Sequence, residues 1–156
     1  MVHPVYAASS GPVGRCLSIL PDNGFVPTVA HDRCDPEDQL QRMHFESAGK
    51  GAYTIRAEDL DNKIKCAAVD SPADQARIHL RPCAKAERRQ LFLLTVAGAS
   101  SPAVYRLASA TAAGSCVGID AAAADENPQA IQTNCAHTGV QGYSLTPASA
   151  PETSAG

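Results

Sequence analysis

Residues 66–92 read CAAVDSPADQARIHLRPCAKAERRQLF, and the anchor residues of this stretch occur three times along the chain. The anchors are a leading cysteine, a closing cysteine 17–19 positions later, and a glutamine followed two positions on by a large apolar or aromatic residue. In chain order, the leading cysteines are Cys16, Cys66 and Cys116, the closing cysteines are Cys34, Cys83 and Cys135, and the glutamines are Gln41, Gln90 and Gln141. Because the leading cysteines are 50 residues apart both times, the pattern predicts a protein built from three repeats.

Each repeat contains four short segments that resemble β-strands. One lies before the leading cysteine, one begins at it, one precedes the closing cysteine and one follows the glutamine; residues 53–56 (YTIR) and 104–107 (VYRL) are clear examples of the first kind. The pattern predicts an all-β fold in which three units bury one shared core, since a single unit cannot bury its apolar face alone. The core layers are expected at three sets of equivalent positions: Ile19, Val69 and Ile119; Met43, Phe92 and Tyr143; and Phe45, Leu94 and Leu145.

The repeats predict a single domain over residues 1–147, divided at about 3–52, 53–102 and 103–147. Residues 148–156 (ASAPETSAG) have the composition of a disordered tail. Between the closing cysteine and the glutamine of the first repeat, Asp35 followed by Pro36 predicts the start of a single helical turn.

Composition excludes several classes of partner. The net charge of the 156 residues is −3 and the isoelectric point is near 5.9, so nothing indicates binding to nucleic acid or to an anionic membrane. No apolar run approaches the roughly 20 residues that span a bilayer. Aromatic residues make up 4% of the chain and Trp is absent.

The six cysteines indicate an oxidising compartment. Six cysteines allow 15 pairings, and three equivalent repeats favour the pairing that treats them alike, with one disulfide in each repeat: Cys16–Cys34, Cys66–Cys83 and Cys116–Cys135. Residues 1–4 lack the features of a signal peptide, so we expect a secreted protein whose signal is missing from this sequence. Reduced cytosolic thiols are the alternative interpretation.

The anchors resemble those of the ricin B-type β-trefoil family, whose repeats end in a Gln-x-Trp signature. The resemblance covers about residues 5–147, and residues 78–83 (IHLRPC) occupy the slot in which the family has Ile-Gln-Leu-Trp-Pro-Cys. It implies a six-stranded barrel capped by three hairpins, with carbohydrate bound in one to three shallow pockets.

The sequence departs from this family at the positions that contact sugar. The Asp usually found two residues after the leading cysteine is replaced by Ser18, Ala68 and Gly118. The stacking aromatic two residues before the closing cysteine is replaced by Asp32, Arg81 and Thr133. The Asn before the glutamine is replaced by Leu40, Arg89 and Val140. The family's usual galactose contacts are therefore not expected, and Asp32, His79 and Arg81 remain as the candidate carbohydrate-binding residues, best developed in the second repeat.

Both sets of candidate residues have a structural alternative. Gln41, Gln90 and Gln141 are ligand groups in one interpretation and, in the favoured one, satisfy backbone groups near a hairpin. His79 and Arg81 are donors to an acidic or hydroxylated ligand, or only the outward residues of a strand whose inward residues are Ile78 and Leu80.

Patterns for catalysis or cofactor binding are weak. Gly114-Ser115-Cys116-Val117-Gly118 resembles a nucleophile elbow, but that motif requires an α/β sheet and Cys116 already belongs to the repeat. His31-x-x-Cys34 lacks the paired cysteines of a zinc site. We therefore expect no enzyme activity, no metal site and no cofactor.

The segment Lys85-Ala86-Glu87-Arg88-Arg89 is the most charged loop between strands. It is either a solvated loop or a contact loop for a protein, and a loop held by disulfides loses less entropy on binding. The sequence thus predicts a secreted, non-enzymatic module that binds a glycan or glycoprotein. The alternative is a β-trefoil that binds a protein, either as a protease inhibitor through Lys85, Arg88 and Arg89 or as the receptor-binding subunit of a toxin.

Overall fold

The computed structural model describes residues 4–9, 15–20, 27–35, 37–98, 104–119, 129–135 and 143–147. These residues form twelve strands. The strands are β1 (Pro4–Ser9), β2 (Arg15–Leu20), β3 (Thr28–Arg33), β4 (Met43–Gly49), β5 (Ala52–Glu58), β6 (Ile64–Val69), β7 (Ile78–Arg81), β8 (Phe92–Gly98), β9 (Val104–Ser109), β10 (Ser115–Ile119), β11 (Ala130–Asn134) and β12 (Tyr143–Pro147). Short 3-10 turns at Gln39–Gln41 and Arg88–Gln90 precede β4 and β8.

Six of the strands close into a barrel. The antiparallel pairs β1–β4, β4–β5, β5–β8, β8–β9, β9–β12 and β12–β1 form a complete ring. The other six strands form the hairpins β2–β3, β6–β7 and β10–β11, each joined to the barrel through its first strand. A six-stranded barrel with three hairpins is the β-trefoil architecture, so the predicted fold class is confirmed.

The three repeats keep the same strand register. The leading cysteine of each hairpin pairs with a residue two positions before the closing cysteine: Cys16 with Asp32, Cys66 with Arg81 and Cys116 with Thr133. On its other side, the leading cysteine pairs with Ala8, Arg56 and Ala108 in turn. Ala8 and Ala108 lie eight residues before the leading cysteine and Arg56 lies ten before it, so the connection into the second hairpin is two residues longer. The three residues still hold the same place in the barrel, opposite Ser144, His44 and Leu93.

The core lies inside the barrel and beneath the hairpins. Ile19, Val69, Met43, Phe92 and Tyr143 are each at most 1% exposed, as the predicted core layers require. Phe45 is also buried, whereas Leu94 packs against the core while partly exposed. The side chains of Ile119 and Leu145 lie outside the described part of the structure. Full burial of such a side chain contributes about 1.5–3 kcal/mol, so these few positions dominate the packing.

Each repeat is closed by its own disulfide. The bonds are Cys16–Cys34, Cys66–Cys83 and Cys116–Cys135, and the Cα–Cα distance is 5.0 Å in all three. Each bond joins the strand that begins a hairpin to the segment that leaves it. The prediction of one disulfide per repeat is confirmed.

The helical turn of the first repeat begins later than the sequence predicted. Asp35 does not cap it; its carboxylate accepts a hydrogen bond from the Glu37 amide at 2.9 Å. The 3-10 turn is capped instead by Asp38, whose Oδ1 accepts from the Leu40 amide at 2.9 Å. The turn ends at Gln41 because the chain continues directly into β4 at Met43.

Hairpin-to-hairpin contacts fix the position of β7. Thr28 at the start of β3 pairs with His79, and the Leu80 amide donates to the Pro27 carbonyl at 2.9 Å. From the third repeat, Gln132 Nε2 donates to the carbonyls of Ser71 and Ala73, at 3.2 and 2.9 Å. The second hairpin is therefore held by both neighbouring repeats. Among the described residues, no helix is long and apolar enough to cross a membrane.

Candidate functional site

The outer face of the second hairpin combines polar residues from β6 and β7. Ala67 pairs with Leu80 and Val69 with Ile78, and all four side chains face the core. Because side chains alternate along a strand, Cys66, Ala68, His79 and Arg81 share the opposite face. Ile78 and Leu80 point inward as an alternating strand requires, but His79 is only 8% exposed and is not a fully solvated outward residue.

Asp70, His79 and Arg81 form a cluster of polar side chains on this face. Asp70 Oδ1 lies 2.9 Å from His79 Nδ1 and 3.3 Å from Arg81 Nη2. The His79 side chain is mostly covered, whereas those of Asp70 and Arg81 are 32% and 46% exposed. The Asp70–Arg81 contact is an exposed ion pair, which contributes only about 0–1 kcal/mol, so it leaves Arg81 available to a ligand.

Sequence reasoning missed Asp70 as a member of this cluster. It lies four residues after Cys66, immediately beyond β6, and its carboxylate joins residues that the sequence had already singled out. Strand alternation was the signal that could have found it, since positions 66, 68 and 70 of a strand face the same side. The corresponding positions are Leu20 in the first repeat and Asp120 in the third, the latter outside the described residues.

Asp32 lies in a different hairpin and does not join this cluster. It pairs with Cys16 on β3, and its Oδ1 accepts a hydrogen bond from the Arg33 amide at 2.7 Å. Thr28, which pairs with His79, is four residues away along β3, or about 13 Å at the usual rise of a strand. The structure therefore brings together His79 and Arg81 but separates Asp32 from them.

The third repeat offers a less polar surface at the equivalent positions. Thr133 is 7% exposed and stands where Arg81 stands in the second repeat. Gly118 pairs with Ile131, whereas Ala68 of the second repeat pairs with His79. The strands of the three repeats are therefore arranged alike, but the side chains on the outer faces of the second and third hairpins differ.

Two motif glutamines bind the backbone on both sides of the closing cysteine. Gln41 Oε1 accepts from the Asp35 amide at 2.9 Å and Gln41 Nε2 donates to the Arg33 carbonyl at 2.8 Å. Gln90 makes the equivalent bonds to the Ala84 amide and the Pro82 carbonyl, both at 2.9 Å. Both amides are buried and engaged with backbone, which favours a structural role. Gln141 lies outside the described residues.

The basic loop of the second repeat contacts the third repeat. Arg88 Nη2 donates to the Ala110 carbonyl at 3.1 Å, and Thr111 Oγ1 donates to the Arg88 carbonyl at 3.1 Å. Lys85 and Arg89 are exposed. Ala86 has a φ of 59°, a left-handed conformation that is uncommon for a residue with a Cβ. The loop is therefore anchored at Arg88 and presents its other two cations to solvent.

The weaker chemical motifs do not form sites in the described residues. Cys116 and Cys34 are both in disulfides, so neither supplies a thiolate. His31 is fully buried and its Nε2 lies 2.7 Å from the hydroxyl of Tyr143. In the part of the chain that the structure describes, no group of three or more His, Cys, Asp or Glu side chains could hold a metal ion.

Comparison with known proteins shows similarity at the level of structure. No protein-family model and no curated protein sequence matches the chain. Among solved structures, the designed three-fold symmetric protein ThreeFoil matches with a TM-score of 0.75 at 18% identity, covering 91% of this chain and 97% of that protein. The Polyporus squamosus lectin, solved with the human-type influenza-binding epitope Neu5Aca2-6Galb1-4GlcNAc, matches with a TM-score of 0.68 at 14% identity, covering 94% of this chain and 50% of the lectin.

A toxin component shares the same fold. The Haemophilus ducreyi cytolethal distending toxin matches with a TM-score of 0.65 at 12% identity, covering 91% of this chain and 83% of the toxin chain. Identities this low establish architecture and not activity. The chain is therefore a β-trefoil of three repeats, one disulfide in each, similar in fold to a lectin and to a toxin component.

Proposed function

We propose that this protein is a secreted, non-enzymatic module that binds a glycan through the outer face of its second hairpin. The observation that favours this function is the Asp70–His79–Arg81 cluster, which places an acceptor and several donors side by side on a partly exposed surface. Lectin folds among the structural neighbours support the proposal at the level of architecture.

The cluster has the chemistry needed to recognise a pair of sugar hydroxyls. An ionised carboxylate accepts hydrogen bonds and a guanidinium offers five donors, so Asp70 and Arg81 can bond two neighbouring hydroxyls in opposite senses. His79 orients Asp70 through its Nδ1 contact of 2.9 Å. Ala68, which pairs with His79, keeps the centre of the face small and apolar.

The carboxylate of this repeat lies further along the strand than the one in the resembled family. The resembled family has its Asp two residues after the leading cysteine, where this chain has Ala68. Asp70 lies two residues further on and on the same face. A ligand is therefore expected to sit nearer the β6–β7 turn than a sugar bound in the family's usual way.

Secretion is proposed from the three disulfides. Structural disulfides persist in oxidising compartments and are rare in the cytosol, and all three bonds form here within single repeats. An extracellular binding protein also meets the glycans and glycoproteins proposed as its partners.

A glycan array tests this function. Wild-type protein should give saturable signals on a defined group of glycans, and Arg81→Ala and Asp70→Asn should each reduce them by about tenfold or more, equivalent to one lost charge-assisted hydrogen bond. Arg106→Ala is the matched control, because Arg106 is a partly exposed arginine on β9 of the third repeat. A blank array with well-folded protein would contradict the proposal.

Protein binding through the basic loop is the second candidate function. The disulfide Cys66–Cys83, the amide of Gln90 and the Arg88 contact with Ala110 hold this loop in one shape, and preorganisation lowers the cost of binding. Titration against a panel of serine and cysteine proteases should then show stoichiometric inhibition that Lys85→Ala or Arg89→Ala weakens. Absence of inhibition across the panel would eliminate the inhibitor form of this candidate, leaving binding to a cell-surface receptor to be tested separately.

A further inference from the structure

A groove of about 480 Å³ opens between the β4–β5 hairpin and the loop that follows β7. Its volume lies within the range of small-molecule sites. The charged and polar side chains that line it are Glu46, Ser47, Thr54, Arg56, Lys85 and Gln90, of which Gln90 is buried and bonded to backbone.

This groove is separate from the Asp70–His79–Arg81 cluster. On the outer face, Cys66 pairs with Arg56 of β5 on one side and with Arg81 of β7 on the other. The groove includes Cys66, Cys83 and Arg56, so it lies on the β5 side of the disulfide. The cluster lies on the β7 side.

The cations of the groove are peculiar to the second repeat. The residue paired with the leading cysteine is Ala8 in the first repeat, Arg56 in the second and Ala108 in the third. Two positions after the closing cysteine, the second repeat has Lys85 where the others have Pro36 and His137. Two of the three repeats have alanine opposite the leading cysteine, so packing of the fold does not require an arginine at that position.

The electrostatics of the groove favour an anion. Arg56 Nη2 pairs with Glu46 Oε1 at 2.8 Å, but both side chains are more than 40% exposed, at 41% and 48%. Water weakens such a pair, and a guanidinium has further donors beyond the one used. With the exposed Lys85 added, two cations face one carboxylate.

The remaining lining suits a polyhydroxylated ligand. Ser47 and Thr54 contribute hydroxyl groups, while the disulfide, Ala84 and Ala86 contribute a small apolar surface. At the rim, Ala86 adopts a φ of 59°, a conformation that a residue with a Cβ avoids. Ala86 directly follows Lys85, so this left-handed residue belongs to the turn that carries the lysine at the edge of the groove.

We propose that this groove is a second glycan-binding subsite, specific for a sugar that carries a carboxylate, with Arg56 and Lys85 binding the carboxylate. The inference rests on the proposed function and adds the class of glycan, an acidic one. The neutral part of the same glycan then extends over the disulfide towards Arg81.

Two probes that differ only in the group at one carbon test the subsite. Methyl β-glucuronide has a carboxylate where methyl β-glucoside has a hydroxymethyl group, and each is titrated into the protein by NMR. The glucuronide should bind about tenfold more tightly, and Arg56→Ala and Lys85→Ala should each remove most of that preference. Arg56→Ala places at this position the residue that the other repeats have, so the fold tolerates it. Arg106→Ala should leave the preference unchanged.

Failure of the subsite is distinguishable from failure of the proposed function. Equal or undetectable binding of the two probes, or a preference that survives Arg56→Ala, would overturn the subsite. So would a preference abolished by Arg81→Ala alone, since the carboxylate would then bind at the cluster. The proposed function would stand in each case if neutral glycans bind on the array and lose binding with Arg81→Ala.

Discussion

At the scale of single residues, the molecule contains buried polar groups that join distant parts of the chain. Tyr143 of β12 and His31 of β3 are both fully buried, and the Tyr143 hydroxyl lies 2.7 Å from His31 Nε2. Their rings are stacked, with centroids 5.9 Å apart. This contact joins the first and third repeats inside the core.

Tyr143 should make stability sensitive to alkali. Burial raises the pKa of its hydroxyl above the usual value of 10.0. The folded state then holds a proton that the unfolded state releases, so the free energy of unfolding should fall as the pH rises above about 10. Urea denaturation at pH 8 and pH 10.5 should show a smaller loss for Tyr143→Phe than for wild type. Identical losses in the two proteins would show that Tyr143 does not cause the alkaline sensitivity. Tyr53→Phe is the control, because Tyr53 is a partly buried tyrosine of β5.

Asp59 should contribute to stability in the opposite pH range. Hydrogen bonds from the Lys63 and Asp61 amides, at 2.9 and 2.8 Å, and the nearby Lys65 lower the pKa of this carboxyl, the Lys63 bond being the largest cause. A carboxyl whose pKa is lower in the folded state stabilises the fold at pH values above its pKa in the unfolded state. That contribution is lost as the pH falls through the pKa of the folded state.

Replacement of Asp59 tests that assignment. Asp59→Ala should lower the free energy of unfolding by about 1–3 kcal/mol at pH 7, because it removes hydrogen bonds to a charged acceptor. The difference from wild type should shrink below about pH 4, where the unfolded carboxyl becomes protonated. Asp61→Ala changes an exposed neighbour in the same turn and should cost much less. A pH-independent difference would contradict the assignment.

At the scale of elements, the glutamine turns of the first two repeats fasten the closing cysteine segments to the start of β4 and β8. Gln90 satisfies one amide and one carbonyl of its repeat, and Gln41 does the same in the first repeat. Gln90→Ala should destabilise the protein by about 2–4 kcal/mol, since two buried bonds to backbone are lost. Gln39→Ala is the control in the first 3-10 turn, where the side chain is exposed. Chemical denaturation gives both values, and equal effects would refute the structural role.

Contacts within one repeat could be predicted from the sequence, whereas the pairing between a barrel strand and a hairpin strand could not. The repeat of cysteines and glutamines predicted the hairpins and disulfides because those contacts are local to one repeat. Arg56 could not be placed from sequence, since its neighbour Cys66 is brought to it by the register between β5 and β6. The cap of the first turn was misplaced at Asp35, because the sequence has a second aspartate three residues later and it is Asp38 that accepts from the Leu40 amide.

At the scale of the whole molecule, three similar units should share stability evenly. The three disulfides close loops of 18, 17 and 19 residues. A loop of this length is worth about 3 kcal/mol in the chain-entropy model. Replacing both cysteines of any one pair by alanine should therefore lower the free energy of unfolding by a similar amount. A thiol assay of unfolded, unreduced wild-type protein should find no free thiol, and detection of thiols would contradict the pairing.

The whole fold was predictable because its anchor residues recur about every 50 residues. The candidate site depends instead on residues that differ between the repeats. Arg56 lies where the first and third repeats have Ala8 and Ala108, and the positions of His79 and Arg81 are occupied in the third repeat by Ile131 and Thr133, whereas Asp70 has a sequence counterpart there in Asp120. A repeat pattern predicts what its copies share. Recognition in this protein is proposed at the positions where one copy differs.

The most direct test of the account is NMR mapping of a glycan selected on the array. Titration into isotopically labelled protein should shift the backbone amides of residues 66–70 and 78–81 in the second repeat, and Arg81→Ala should abolish those shifts at the same glycan concentration. Shifts confined to the first or third repeat, or unchanged by Arg81→Ala, would contradict the claim that the outer face of the second hairpin is the binding surface.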